Sequence, residues 1–334
     1  MSTPPVLIAP VDLQDDELFT AWYDAFRAGA VEGRPVPLVT AHDEMRAALR
    51  HPQSRRPRVG YVATVEGAVA GALVLELPSV DNEHLALIEV DVPPAHRRRG
   101  VGTALLEHAS QLSRDGGRTI MVGEVHVPVG RSKADHPGSR FAALHGFANV
   151  QTDDHQVLHL PAAPFAGLSA EPVGYQLVSW EDGCPEDYLE AFAQMRTGLQ
   201  RDIPMGDLDV EPSVWKPAMV REQEQSLVAQ GITQLTVAAR DAAGGFAAYT
   251  QLLVPFHQPE DVLQNDTYVL GAHRGRGLGT AIKVRNLASL TARFPERRRV
   301  HTWTASDNGP MQKVNADFGF RTVEQTLEFQ RSLT

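Results

Sequence analysis

The chain has 334 residues, of which 43% are hydrophobic, and it carries a formal net charge of −10. This length exceeds that of an ordinary single domain and favours two domains. The acidic balance argues against a nucleic-acid-binding protein, which would normally show a basic domain or stripe. The single cysteine, Cys184, excludes an intramolecular disulfide framework and fits a reducing cytosol.

No targeting or membrane segment is evident in the sequence. Residues 1–10 have neither a basic stretch nor a long apolar core, and no apolar run approaches the length of a membrane span. We therefore expect a cytoplasmic protein that does not enter a membrane.

The first half of the chain alternates helical and extended patterns. A helical spacing of apolar residues over 12–27 and a capping sequence with Thr40 as N-cap predict two helices. A hairpin and a third strand follow, then a helix that ends at Gly116 and Gly117. The predicted strands cover residues 6–8, 60–65, 68–77, 84–92, 119–127 and 156–160, with a short helix over 141–144.

Residues 161–172 are rich in Pro, Gly and Ala and indicate a boundary. The sequence thus predicts an N-terminal domain over residues 1–162, a linker over 163–172 and a C-terminal domain over 173–334. Residues 202–212 are irregular and acidic, and either line an acceptor pocket or connect two helices. Beyond the boundary the element order repeats, with strands over 175–180, 235–240, 246–254, 267–270, 300–304 and 324–330 and helices over 185–199, 213–230, 278–291 and 308–318.

One motif occurs in both halves. Arg-x-x-Gly-x-Gly follows the hairpin and the next strand in each domain and opens a helix, at residues 97–102 and again 177 positions later at 274–279. The first backbone N–H groups of a helix have no intrahelical partner and, with the helix dipole, attract phosphate. Glycine lets the backbone approach the anion closely, and arginine bonds phosphate oxygens in a forked geometry. The alternative is an ordinary turn with solvated arginines.

A nicotinamide-binding turn is excluded by its context. Such a turn follows the first strand of a βαβ unit and has a different glycine spacing. Here a hairpin and a third strand come first.

These residues resemble the central signature of the acetyl-CoA-dependent GNAT N-acetyltransferase superfamily, Arg/Gln-x-x-Gly-x-Gly/Ala after the fourth strand. Residues 308–320 are similar to the second signature of the family, of which the first half keeps only residues 141–147 clearly. The resemblance covers nearly the whole chain in two copies. It implies an α/β fold with a mixed sheet in each of two tandem GNAT-like acyl-CoA N-acyltransferase domains, splayed after the fourth strand to admit the pantetheine arm.

The resemblance also implies how acetyl-CoA is bound. Asn308 would assist the arm in the second domain. The backbone of the fourth strand would contact the arm through Val90, Asp91, Val92, Thr267, Tyr268 and Val269. The pyrophosphate would be cradled by Arg97, Arg98, Arg99, Gly100, Val101 and Gly102, and in the second domain by Arg274, Gly275, Arg276, Gly277, Leu278 and Gly279.

Acetyl transfer to an amine needs a base, because an alkylamine with a pKa near ~10 is mostly protonated at neutral pH. Glu89 and Asp266 occupy the same place in the two copies and are the candidate catalytic bases. The alternative is that both are surface acids at a strand edge. The tyrosine that usually protonates the leaving thiolate in this family is replaced by Ala142 and Asn315.

We therefore predict direct acetyl transfer from acetyl-CoA to a small-molecule amine, without a metal or nucleic acid, by a monomer or homodimer. The second domain matches both signatures better and is favoured for catalysis. Two alternatives stay open: an acyl-CoA-binding module with one or both domains inactive, and an acyltransferase that uses another acyl-CoA or a hydroxyl acceptor.

Overall fold

The computed structural model describes residues 4–161 and 172–334. Of the predicted linker, residues 163–171 lie outside the described residues. The chain forms two compact units. The first contains residues up to Asp153, Met205–Glu211 and Glu324–Thr334, and the second contains Asp154–Pro204 and Pro212–Val323. The sequence-based limits place each domain in one continuous stretch, whereas both units take segments from both halves.

The mixed α/β character predicted from the sequence is confirmed. Residues 4–161 form β1 (Val6–Pro10), α1 (Asp16–Val31), α2 (His42–Arg50), β2 (Arg58–Val65), β3 (Ala68–Glu76), β4 (Leu85–Asp91), α3 (Val101–Asp115), β5 (Ile120–Pro128), α4 (Pro137–Leu144) and β6 (Ala148–His159). Residues 172–334 form β7 (Tyr175–Glu181), α5 (Glu186–Asp202), α6 (Pro217–Ala229), β8 (Ile232–Asp241), β9 (Phe246–Pro255), β10 (Asp261–Val269), α7 (Leu278–Arg293), β11 (Arg299–Ala305), α8 (Gly309–Phe318) and β12 (Arg321–Ser332).

Local capping corrects two predicted helix starts. Helix α1 begins after Asp15, whose Oδ1 accepts the Leu18 amide at 3.0 Å, and not at Asp12. Helix α2 has Ala41 as its N-cap, not Thr40, because Glu44 reaches back to accept the Ala41 amide at 3.2 Å. Each carboxylate satisfies a backbone donor that the helix leaves unpaired.

The sheet of the first unit has the strand order β1-β2-β3-β4-β5-β12. Apolar side chains cover both of its faces. One core contains Leu105 and Leu106 of α3 together with Phe329 of β12. The other packs Phe19 and Trp22 of α1 with residues of α2.

Strands β4 and β5 run parallel but pair only at their beginnings. Their pairs extend from Leu85–Ile120 to Ile88–Gly123. Beyond that point β4 continues to pair with β3 as far as Asp91, while β5 pairs with β12. The two strands therefore diverge after Ile88 and Gly123, as the family resemblance implied.

The last strand of the chain completes the first unit. Strand β12 lies antiparallel to β5, with pairs from Glu324–Pro128 to Ser332–Ile120. Residues 156–160, expected to close the first domain, fall instead in the second unit.

A second segment from the C-terminal half, residues 205–211, also belongs to the first unit. The Asp207 amide donates to Val150 O at 3.0 Å, and the Asp209 amide donates to Gln330 Oε1 at 2.9 Å. The Glu211 amide donates to Asn82 Oδ1 at 2.5 Å. This crossing segment thus bonds to β6, to β12 and to the connection between β3 and β4.

The second unit repeats the architecture with the strand order β6-β11-β10-β9-β8-β7. Strands β10 and β11 are parallel, with pairs from Asp261–Arg299 to Leu263–His301. A bulge between Gln264 and Thr267 interrupts the pairing of β10 with β9. Within residues 4–161 and 172–334, no helix is both long and apolar enough to cross a membrane.

We predict that Gly206→Ala detaches the crossing segment. Gly206 has a φ of +54°, and an added Cβ would lie 2.5 Å from Val150 O and 2.3 Å from Gln151 Oε1. Hydrogen exchange should show loss of protection at the Asp207 and Asp209 amides, because backbone cannot move aside cheaply. Gly130→Ala is the control, since Gly130 has a φ of +82° but nothing within 4 Å of the added Cβ. Unchanged protection in Gly206→Ala would contradict the prediction.

Candidate active site

The first arginine–glycine loop has the conformation of an anion site. Gly100 is the N-cap of α3, with a φ of 82°, and Arg98 also has a positive φ of 62°. The first intrahelical bond runs from the Ala104 amide to Gly100 O, so earlier amides of the turn have no such partner. Arg97 Nε donates to Val92 O at 2.9 Å, which anchors that guanidinium to the end of β4.

The second loop has the same backbone form, with Gly275 and Gly277 at φ values of 75° and 73°. Its arginines, however, bond to the protein itself. Arg274 Nη2 lies 2.6 Å from Asp202 Oδ2, and Arg276 Nη1 donates to the Tyr175 hydroxyl at 2.9 Å. A phosphate arriving here would compete with these partners.

In the first unit a cleft of about 1390 Å³ opens where β4 and β5 diverge. It extends from the arginine–glycine loop to Gly33 and Arg34, which follow α1. Strand β5 contributes Glu124 and His126, and α4 contributes Phe141, which packs 3.4 Å from the Cβ position of Gly102. The cleft is lined by the predicted residues Val90, Asp91, Val92, Arg97, Arg98, Gly100, Val101 and Gly102, while Glu89 and Arg99 are outside its lining.

The two acids of β4 share one face of the sheet because side chains alternate along a strand. Asp91 lines the cleft and packs against Gly29 of α1, where an added Cβ would lie 2.7 Å from Asp91 Cβ. Burial raises the pKa of Asp91 well above its usual range, and the Glu89 charge adds to this effect. Burial also raises the pKa of Glu89, opposed by Arg58. The Glu89 side chain is reached by solvent, but protein surrounds its carboxyl.

A third acid in the cleft was missed by the sequence reasoning. Glu124 is the first residue of β5 beyond the last pair with β4, and its Cα lies opposite that of Glu328 on β12. The two carboxyls are hydrogen-bonded to each other. Burial raises the pKa of Glu124 to about 7, and burial together with the Glu124 charge raises that of Glu328 further. Because the partners are far apart in sequence, only strand register reveals this pair.

A cation that acts on Asp91 and Glu124 is already paired. Arg34 forms a bidentate ion pair with Glu324 of β12, with N–O distances of 2.9 and 2.5 Å, and both side chains are buried. Planar bidentate pairing fixes both groups and neutralises most of the arginine charge. The end of the cleft near Arg34 is therefore acidic.

The corresponding features of the second unit are bonded differently. Asp266 Oδ2 accepts the Tyr249 hydroxyl at 3.0 Å and lies 3.6 Å from Arg196 Nη2, whose guanidinium stacks on Trp215. Asn308 caps α8 by accepting the Met311 amide at 3.3 Å. The predicted base thus has a buried cation and a hydroxyl as partners.

The two places of the missing tyrosine also differ. Ala142 lines the cleft of the first unit and offers no proton donor. Asn315 is fully buried in the second unit, where its Oδ1 accepts Lys283 Nζ at 2.8 Å and its Nδ2 donates to Gln156 and Thr304. Burial lowers the pKa of Lys283 to about 7. No group of three or more metal-ligating side chains occurs among the described residues.

Comparison with known proteins shows which family the sequence resembles. Residues 18–134 match the model of the acetyltransferase (GNAT) family. The mycothiol acetyltransferase of Rothia mucilaginosa is 28% identical over 297 residues, covering 83% of this chain and 79% of that protein. That of Clavibacter michiganensis is 28% identical over 253 residues, covering 73% and 72%.

Solved structures extend the likeness to the whole chain. A GCN5-related N-acetyltransferase from Sphaerobacter thermophilus, 13% identical, shares the fold with a TM-score of 0.70 over 99% of this chain and 97% of that one. A tandem GNAT protein from the clavulanic acid biosynthesis pathway is 30% identical, with a TM-score of 0.85 and 99% coverage of both chains. The chain therefore belongs to the acetyltransferase (GNAT) family, as a tandem acyltransferase of that family.

Proposed function

We propose that the first unit transfers the acetyl group of acetyl-CoA to a primary amine of a small molecule. The observation that carries this proposal is the cleft between β4 and β5, which joins an arginine–glycine loop to a group of carboxylates. The relatives named mycothiol acetyltransferase support acetyl as the transferred group and a small molecule as the acceptor.

The residues of the cleft fit acetyl-CoA. The free amides that begin α3, together with Arg98, suit a pyrophosphate. Strand β4 faces the gap with backbone groups that β5 no longer pairs, and these suit the amides of the pantetheine arm. Acetyl-CoA supplies an activated acyl group as a thioester.

The chain's own residues would then prepare the acceptor. The acidic end of the cleft attracts an ammonium group. Glu89, through water or directly, takes a proton from the amine, and its raised pKa makes the carboxylate a better base. Because Ala142 has no proton to give, water or another group of the cleft protonates the departing thiolate.

The second unit is proposed to contribute little turnover. The sequence signatures alone had favoured the second domain for catalysis. Asp266 is already engaged by Arg196 and Tyr249, which an incoming amine would have to displace, and both loop arginines already have protein partners.

We predict that Glu89→Gln lowers kcat by about 100-fold, a usual contribution of a general base. Asp266→Asn should change kcat less than about 3-fold. Thiol release from acetyl-CoA in the presence of a panel of small primary amines measures both. The reverse ranking would place catalysis in the second unit, and tight acetyl-CoA binding without turnover on any amine would favour a binding module.

We predict that Arg98→Gly weakens acetyl-CoA binding about 10-fold, since a charge-assisted hydrogen bond is worth roughly 1.5–3 kcal/mol. Glycine relieves the positive φ at this position and is the residue that the second loop carries there, as Gly275. Calorimetric titration should also show a weaker dependence of binding on salt. Arg27→Gln, on the exposed side of α1, is the control. Equal affinities in Arg98→Gly and wild type would remove the loop from the binding site.

A further inference from the structure

We propose that Glu124 is a further catalytic residue, whose carboxylate binds the acceptor ammonium and accepts its proton while protonated Glu328 holds that carboxylate in place. This inference rests on the proposed function. It names a second proton acceptor in the same cleft, on the strand opposite Glu89.

The backbone sets the position of Glu124. Pairing of β4 with β5 ends at Ile88–Gly123, so Glu89 and Glu124 are the first residues of the two diverging strands. Glu124 lines the cleft, whereas Glu89 does not, although Ile88 and Val90 on either side of it do. A ligand in the cleft therefore contacts Glu124 directly and meets Glu89 only at longer range.

The pairing with β12 explains why Glu124 is available as a base. Its Cα faces that of Glu328, and the two carboxyls are hydrogen-bonded. Ionising two carboxyls that are in contact is costly. One of them therefore keeps its proton and donates a hydrogen bond to the other. The charges of Glu124 and Asp153 add to the effect of burial on Glu328 and raise its pKa above that of Glu124, so Glu328 keeps the proton and leaves Glu124 as the carboxylate.

The surrounding acidic charges make this part of the cleft favourable for a cation. Glu89 on β4 and Asp153 on β6 both disfavour ionisation of Glu124. Arg34 opposes them, but its guanidinium is bound by Glu324. His126 Nε2 is 3.8 Å from Glu124 Oε2 on the same strand. An ammonium group that enters the cleft would bring to Glu124 a positive charge that is not already paired with another carboxylate.

The proton count closes with this assignment. The ammonium R–NH3⁺ gives one proton to Glu124, and the freed lone pair forms the C–N bond at the acetyl carbonyl. The C–S bond then breaks, and the second N–H proton, taken by Glu89, is returned through water to the thiolate. Glu124 releases its proton to solvent, so each turnover yields an amide, a thiol and one proton.

Strand β11 of the second unit, residues 299–305, contains no acidic residue. Strand β11 carries Trp303, and the ring of His155 on β6 stacks on it at 4.1 Å between centroids. An aromatic pair provides no carboxylate for an ammonium.

The test uses the full chain with ¹³C-labelled glutamate carboxyls and the variants Glu124→Gln, Glu328→Gln and Glu328→Leu. Wild type should show a carboxyl that titrates near pH 7 and disappears in Glu124→Gln. Glu328→Gln keeps a donor to Glu124, whereas Glu328→Leu removes it. Only the leucine variant should shift the Glu124 titration upward, since loss of the hydrogen bond destabilises the carboxylate.

Activity is measured as thiol release with acetyl-CoA and ethanolamine, putrescine or benzylamine. In wild type kcat/KM for the amine should rise with pH through about 7, as Glu124 ionises. Glu124→Gln should lose about 100-fold in kcat/KM for the amine with an unchanged KM for acetyl-CoA. Glu107→Gln, on the exposed face of α3, is the control.

The possible failures are distinguishable. A Glu124 carboxyl that titrates in the ordinary glutamate range, or a Glu124→Gln variant as active as wild type, overturns this inference and leaves the proposed function standing. Absence of turnover by wild type overturns the proposed function and this inference with it.

Discussion

The divergence of β4 from β5 is the constraint on which the rest of the first unit depends. Each strand keeps a full partner on its outer side, β3 for β4 and β12 for β5, so the gap costs only the pairs between them. The gap leaves backbone groups of β4 for a ligand and places Glu89 and Glu124 on its two edges. The arginine–glycine loop that follows β4 lies at one end of the same cleft. One departure from regular pairing thus brings the arginine–glycine loop and a group of carboxyl side chains to the same cleft.

Strand β12 pairs with β5 and also contributes two acidic side chains beside the cleft. Glu324 pairs with Arg34, and the carboxyl of Glu328, whose pKa is raised, is hydrogen-bonded to that of Glu124. These two acids have opposite effects on the cleft, because one removes a positive charge from it and the other limits how much negative charge accumulates. Their strand register matters, since a slip by one residue would turn both carboxyls to the opposite face, where Phe329 packs in the core.

Much of this architecture was predictable from the sequence because it depends on local signals. The two loops follow from their glycine and arginine spacing, and the α/β character and tandem layout follow from the repeated order of elements. The membership of β12 in the first unit was not predictable, since a strand pattern specifies no partner. The proposed role of Glu124 was missed for the same reason, because it depends on Glu328 on the neighbouring strand β12. The different partners of Glu89 and Asp266 also come from distant residues, Arg196 and Tyr249 among them, so their matching positions in the sequence concealed unlike environments.

The origin of β12 has a consequence for how the protein is made. During synthesis the N-terminal half leaves the ribosome long before residues 324–332, so β5 has no partner on that side until the last strand arrives. An unpaired strand edge presents free N–H and C=O groups to other chains. The first unit therefore becomes complete only after residues 324–332 have been made, and cutting the chain between its two sequence repeats would separate the cleft between β4 and β5 from the strand that carries Glu328. The duplication remains visible in the sequence, but its two copies no longer correspond to two independent proteins.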